Sequence, residues 1–209
     1  MNSKLLLLKN LYLKKLIGQK YCKSIELSQI QNIEFVKKDI NYIINNCSLC
    51  ELGKRDKSRF SGLMQVDSIV AFISLKPILK STNSFEMLKN IANNVFHTNS
   101  YSALSIIKCN ALGDVVDSHI LSCMPYLKEQ LIKINPKIVI LLGVEAAKHI
   151  LNTNDDINKL RGRVFTASSI GESKFIVTYS TNEINRNSSF KKHVLDDCLN
   201  IIKLMKMQN

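Results

Sequence analysis

Apolar residues fall along this chain in two rhythms. Four compact runs, DSIVAFIS (67–74), SALSIIK (102–108), KIVILLG (137–143) and KFIVTYS (174–180), are rich in β-branched residues. They predict short strands buried on both faces. Between them the apolar spacing shifts to that of a helix. Residues 85–96, 117–134, 145–151 and 188–207 predict helices, with Asp117 or Ser118 placed to cap the second. Strand and helix in alternation predict an α/β domain with a mostly parallel sheet covered on both faces. Its functional loops are then expected at the C-terminal ends of the strands.

Two more helical patterns precede the first strand. Residues 4–17 place Leu5, Leu8, Tyr12 and Leu16 on one side, and residues 28–44 carry Ile30, Ile33, Val36, Ile40 and Ile43 at helical spacing. We read residues 1–44 as a helical extension packed on a domain spanning 45–209. The opening MNSKLLLLKN is not an export signal, because Lys9 ends the apolar run and no small-residue cleavage site follows. No apolar stretch approaches the roughly 20 residues that cross a bilayer. A cytoplasmic protein with no membrane partner is expected.

Charge adds a bias toward acidic partners. The 209 residues hold 29 Lys and Arg against 17 Asp and Glu, a formal net charge of +12, which favours nucleic acid or another polyanion. Only five of the cations are Arg, and a Lys-, Asn- and Ile-rich composition also follows from AT-rich coding. In a reducing compartment, six cysteines are expected as thiols or metal ligands rather than disulfides.

Four of those cysteines stand out. Cys47 and Cys50 form C-x2-C, and Cys109 and Cys123 follow, the first after a predicted strand and the second inside a predicted helix. Four thiolates close a tetrahedral zinc site or hold a [4Fe-4S] cluster, and spacing does not choose between them; buried free thiols are the plain alternative. Cys22 and Cys198 lie in apolar helical contexts that suit a core.

The order of these features resembles the iron-sulfur (family 4-like) class of the uracil-DNA glycosylase superfamily. CSLCELGKR matches the family's C-x-x-C-x-L start and SIIKCNA its K-C element. CMPYLKEQLIKINPKIVILLG matches C-x-P-x-L and the strand that follows it, LRGRVF matches the glycine loop, and FIVTYS the last strand. The resemblance covers about residues 45–205. It implies a three-layer α/β/α sandwich, a [4Fe-4S] cluster on Cys47, Cys50, Cys109 and Cys123 with zinc as the alternative, and a role in DNA repair.

The resemblance also implies where catalysis belongs, and there the chain departs from the pattern. The G-E-x-P-G loop reads SLKPI, so Ser74, Leu75, Lys76 and Pro77 are followed by Ile78 in place of glycine, and Leu75 takes the position of the acid. The family's aromatic stacking loop is shortened to LKSTNSF. Its uracil-reading asparagine falls at Ser105, and its H-P-S becomes Ser180, Thr181 and Asn182. Excision needs a flipped base, an activated water and a stabilised leaving anion, and the usual groups for these tasks are missing. His97, His119, His149 and His193 are expected at the surface or in caps.

DNA contact can outlast such losses. Lys54, Arg55, Lys57 and Arg59 follow the first two cysteines, Lys159, Arg161 and Arg163 surround the glycine loop, and Arg186 follows the last strand; all are candidates for phosphate contact. Three functions remain in view. They are a cluster-bearing DNA-binding protein without the usual uracil excision, an active glycosylase with substituted catalytic residues, and a metal-stabilised protein-interaction module.

Overall fold

The structure, a computed structural model, describes residues 39–55, 58–110, 113–166 and 173–206. Residues 38–209 form one compact unit. The helix expected over 4–17, and most of that expected over 28–44, lie outside the described residues.

Five strands make one sheet: β1 (Val70–Ser74), β2 (Tyr101–Ser105), β3 (Ile138–Leu142), β4 (Val164–Thr166) and β5 (Lys174–Thr178), in the order β2-β1-β3-β5-β4. The pairs β1/β2, β1/β3 and β3/β5 are parallel, as the doubly apolar runs predict. The short edge strand β4 is antiparallel to β5; the sequence read it as loop, because Gly162, at φ 69°, masks the strand that follows it.

Side-chain alternation along the strands sorts the interior into two layers. Ala71, Ile73, Val139, Leu141, Phe175 and Val177 face one side. There they meet α4 (Asp117–Ile134), α5 (Val144–Leu151) and the single turn α6 (Ile157–Leu160) through Leu127, Leu131, Ala147, Ile150 and Leu160. Val70, Phe72, Ile138, Ile140 and Ile176 face the other side, against α3 (Asn83–Asn94), α7 (Thr181–Arg186) and α8 (Phe190–Lys206) through Phe85, Leu88, Ile184, Val194 and Ile201. This is the three-layer α/β/α fold. Each such side chain taken fully out of water contributes about 1.5–3 kcal/mol, so the two layers hold the strand ends rigidly. Cys198, wholly buried in the second layer, is core as expected.

Two details depart from the sequence reading. Helix α4 starts at Asp117, but neither Asp117 nor Ser118 caps it: Val116 takes the cap position and donates its N–H to His119 Nδ1 at 3.3 Å. A six-residue stretch after the last strand is helical too, since Ser180 caps α7, a short helix that precedes the one expected from residue 188. Among the described residues, no helix is long and apolar enough to cross a membrane.

Candidate functional site

The sheet changes direction at β1, with β2 built on one side and β3 on the other. In open α/β sheets such a reversal opens a crevice at the C-terminal strand ends. A cleft of about 590 Å3 lies there, walled by the SLKPI loop after β1, by Gly143–Glu145 after β3 and by Ser180–Glu183 after β5. Asn110, Asn182 and Arg186 also line it. A neighbouring cavity of about 500 Å3 shares Pro77, Ile78 and Leu79 with the cleft and reaches Ser105, Phe60 and Phe85. The loops SLKPI and STN, far apart in sequence, thus meet at one cleft, while Ser105 lies in the adjoining cavity.

The polar groups of these loops bond mostly to their own backbone. Ser74 donates to Lys76 O at 2.6 Å, and Ser105, fully buried, donates to Ile107 O at 2.7 Å. Ser180 Oγ and N both donate to Glu183, at 2.6 and 2.7 Å, closing a capping box on α7. Thr181 is buried and Leu75 packs against the first core layer. Lys76 is exposed and donates to Gly113 O at 2.7 Å. Phe85, from the shortened aromatic loop, is a core residue of α3, tilted against Tyr101 with ring centres 6.3 Å apart.

Glu145 was missed by sequence reasoning. It stands exposed in the first turn of α5 and lines the cleft. Its position just after a buried strand and a glycine was the available signal.

The candidate cations separate into two groups. Lys54, Arg55, Lys159, Arg163 and Arg186 are exposed, with loose pairs at Arg55–Glu51 (3.6 Å) and Lys159–Asp155 (3.9 Å). Of these, Arg186 lines the cleft. Arg161 and Arg59 have other partners. Arg161 grips Asp197 with two hydrogen bonds, at 2.9 and 3.1 Å, and stacks 4.7 Å over the Tyr179 ring. Burial works against its charge, but the Asp197 bonds and charge prevail and hold its pKa up. Arg59 donates to Cys47 O at 3.0 Å and to Gly53 O. Both guanidiniums face inward because buried acceptors are there to receive them, and neither is presented to a phosphate as the sequence suggested. Lys57 lies outside the described residues.

The four cysteines come to one place. Cys47 and Cys50 lie between two short helices, α1 (Ile40–Asn45) and α2 (Glu51–Arg55). Arg59 fastens that link, and its own backbone forms a bridge to Cys109, while Phe60 donates to Lys108 O at 2.8 Å. Cys109 and Cys123 are buried. Burial pushes the Cys109 thiol up to about 11; Arg59 opposes this, and Cys123, Cys50 and Cys47 reinforce it. Cys123 is pushed up by burial and by Cys50 and Cys47, against a Lys108 backbone N–H that donates to it. Cys109 thus feels the other three thiols, and Cys123 feels Cys50 and Cys47. Among the described residues, however, no three His, Cys, Asp or Glu side chains are drawn close enough to hold a single metal ion.

Next to this centre, Lys108 is wholly buried and donates to Ser105 O and Gln130 Oε1, each at 2.6 Å; burial lowers its pKa to about 7, with Cys123 opposing.

A family model described as the Uracil DNA glycosylase superfamily matches residues 60–203. The chain belongs to the uracil DNA glycosylase superfamily. The matched span holds the whole sheet, the cleft, Cys109 and Cys123; Cys47 and Cys50 precede it. Superfamily members act on DNA, and the crevice at the β1 reversal lies within the matched span. No curated protein matches the sequence.

Proposed function

We propose that this superfamily member is a DNA-binding protein of the iron-sulfur class, related to repair, whose cleft does not run the usual uracil excision. The observation that carries this is the state of the groups in the cleft and in the cavity beside it. The acid position is Leu75, packed on the core, and the hydroxyls of Ser74, Ser105 and Ser180 are bonded within the fold. At the SLKPI loop no carboxylate is there to receive a water's proton, and the Glu183 carboxylate across the cleft already accepts from Ser180 N and Oγ. Cations remain at the surface: Arg186 lines the cleft, and Lys54, Arg55, Lys159 and Arg163 are exposed and suited to phosphate contacts that position a strand without reading it.

In this reading Cys47, Cys50, Cys109 and Cys123 hold a [4Fe-4S] cluster. What supports it is that Cys47 and Cys50 act on both buried thiols, Cys109 and Cys123. Zinc on the same four thiolates is the alternative, since four thiolates suit either group. When bound, the cluster would fasten the C-x2-C link, and with it the basic turn of α2, to the sheet.

A second reading, an active glycosylase with replaced groups, is favoured by Glu145, a carboxylate on the opposite wall of the same cleft. One set of measurements separates the two. Binding of the full chain to single-stranded and duplex DNA is followed by fluorescence anisotropy over a salt series, and abasic-site formation is assayed on uracil- and hypoxanthine-containing strands. The leading reading expects salt-dependent binding, weakened by Arg186→Glu with a slope lower by about one, and no abasic sites. Abasic sites lost in Glu145→Gln would establish the second reading instead, and absence of binding to every DNA would remove the first. Iron, sulfide and zinc analysis of anaerobically prepared protein tests the cofactor.

A further inference from the structure

Tyr126 lies three residues after Cys123 on α4, so its side chain leaves the same face of the helix. It does not stay with its own helix. Its hydroxyl donates to Cys47 Sγ at 3.3 Å, spanning the gap between α4 and the link that carries the C-x2-C pair. The ring is half-buried between the two segments. A phenol, with an ordinary pKa of about 10, carries its proton at neutral pH, so the hydroxyl acts as a donor to the sulfur it touches.

We propose that Tyr126 is a positioning residue for the thiolate centre, holding Cys47 in place and withdrawing electron density from its sulfur through the O–H···S bond. This rests on the reading that Cys47, Cys50, Cys109 and Cys123 carry a cluster. Cys47 and Cys50 are the half-buried members of the set, whereas Cys109 and Cys123 are deeply enclosed. The exposed side is where a cluster first loses iron, and Tyr126 is the side chain that hydrogen-bonds a sulfur there. Hydrogen bonds to sulfur also raise a cluster's reduction potential, because they favour the more negative, reduced state.

The test uses full-length protein prepared anaerobically, with iron and sulfide counted in the wild type first. Tyr126→Phe keeps the ring and removes the donor. It is expected to assemble the cluster, to release iron to an excess of a ferrous chelator about tenfold faster than wild type, and to show a more negative potential. Tyr126→His restores an N–H donor and is expected to slow the release again.

Equal release rates and potentials in wild type and Tyr126→Phe overturn the assignment while leaving the cluster reading intact. Wild-type protein without iron and sulfide overturns the cluster reading and this inference with it. Thermal midpoints check that the variants fold. If the phenylalanine protein does not fold, iron retention in Tyr126→His decides: retention within twofold of wild type supports the assignment and a tenfold loss overturns it.

Discussion

Arg161 and Asp197 form a two-pronged ion pair, Nε to Oδ2 at 2.9 Å and Nη2 to Oδ1 at 3.1 Å, with side chains 17% and 4% exposed. Thr178 at the end of β5 donates to the same carboxylate at 2.7 Å, so the pair ties the glycine loop, the last strand and α8 together. Removing one partner leaves the other charge buried. Arg161→Ala is expected to lower stability by about 3 kcal/mol in a urea titration, and Arg161→Glu to prevent folding by placing two carboxylates together. Charge reversal at Arg161 therefore reports on folding, whereas reversal at Arg163 or Arg186 tests the proposed DNA contact.

Arg59 presents a similar case at the other end of the molecule. Its guanidinium joins Cys47 O, Gly53 O and, at 3.4 Å, Ser58 O, closing the segment that carries the first two thiols. Hydrogen bonds from charged donors are worth about 1.5–3 kcal/mol. Arg59→Ala is expected to cost about 2 kcal/mol and to speed tryptic cutting after Lys54 and Arg55 several-fold. Lysine lacks the fork that reaches separate carbonyls, so Arg59→Lys should recover less than half of the loss.

These two arginines mark the limit of what the sequence made legible. The strands, the long helices and the parallel sheet followed from local apolar spacing, a property each segment carries by itself. The loops that match the family's catalytic positions were placed by motif order, and the structure brings Ser74–Pro77 and Ser180–Asn182 to one cleft. Side-chain partners were not legible. Asp197 receives Arg161 from 36 residues away and Cys47 receives Tyr126 from 79 residues away, and a basic residue near a glycine reads the same whether it faces solvent or a buried carboxylate. Tyr126 did carry a signal, its i+3 position from Cys123, but only the fold shows what it reaches.

Cys198 gives a pH-dependent expectation. Burial first, then Asp197, push its thiol from 9.0 up to about 12. The folded state keeps the proton where the unfolded chain has lost it. The resulting stability is fully present below pH 9 and is lost as pH rises from 9 toward 12. In urea titrations between pH 7 and 10.5, the wild type should lose stability above pH 9 more steeply than Cys198→Ala. In cofactor-free native protein, iodoacetamide at pH 8 should label Cys47 and Cys50 well before Cys198, as read by peptide mass spectrometry.

Gly143 couples the sheet to the cleft wall. It lies between β3 and α5 at φ 95° and donates its N–H to Thr178 O at 2.8 Å. A Cβ there would stand 3.0 Å from Ser180 Cβ, at the cap of α7. Gly143→Ala thus combines a strained backbone with a push on the residue that fixes Asn182 and Arg186. Gly162→Ala, at φ 69° with nothing within 4 Å of the added carbon, isolates the backbone part. Residues held in such conformations cost about 1–3 kcal/mol. Gly162→Ala is expected near the lower figure with DNA affinity unchanged. Gly143→Ala is expected near the upper figure, with DNA affinity reduced about tenfold because the α7 wall moves. Equal affinities in the two variants would mean that DNA does not use this wall of the cleft.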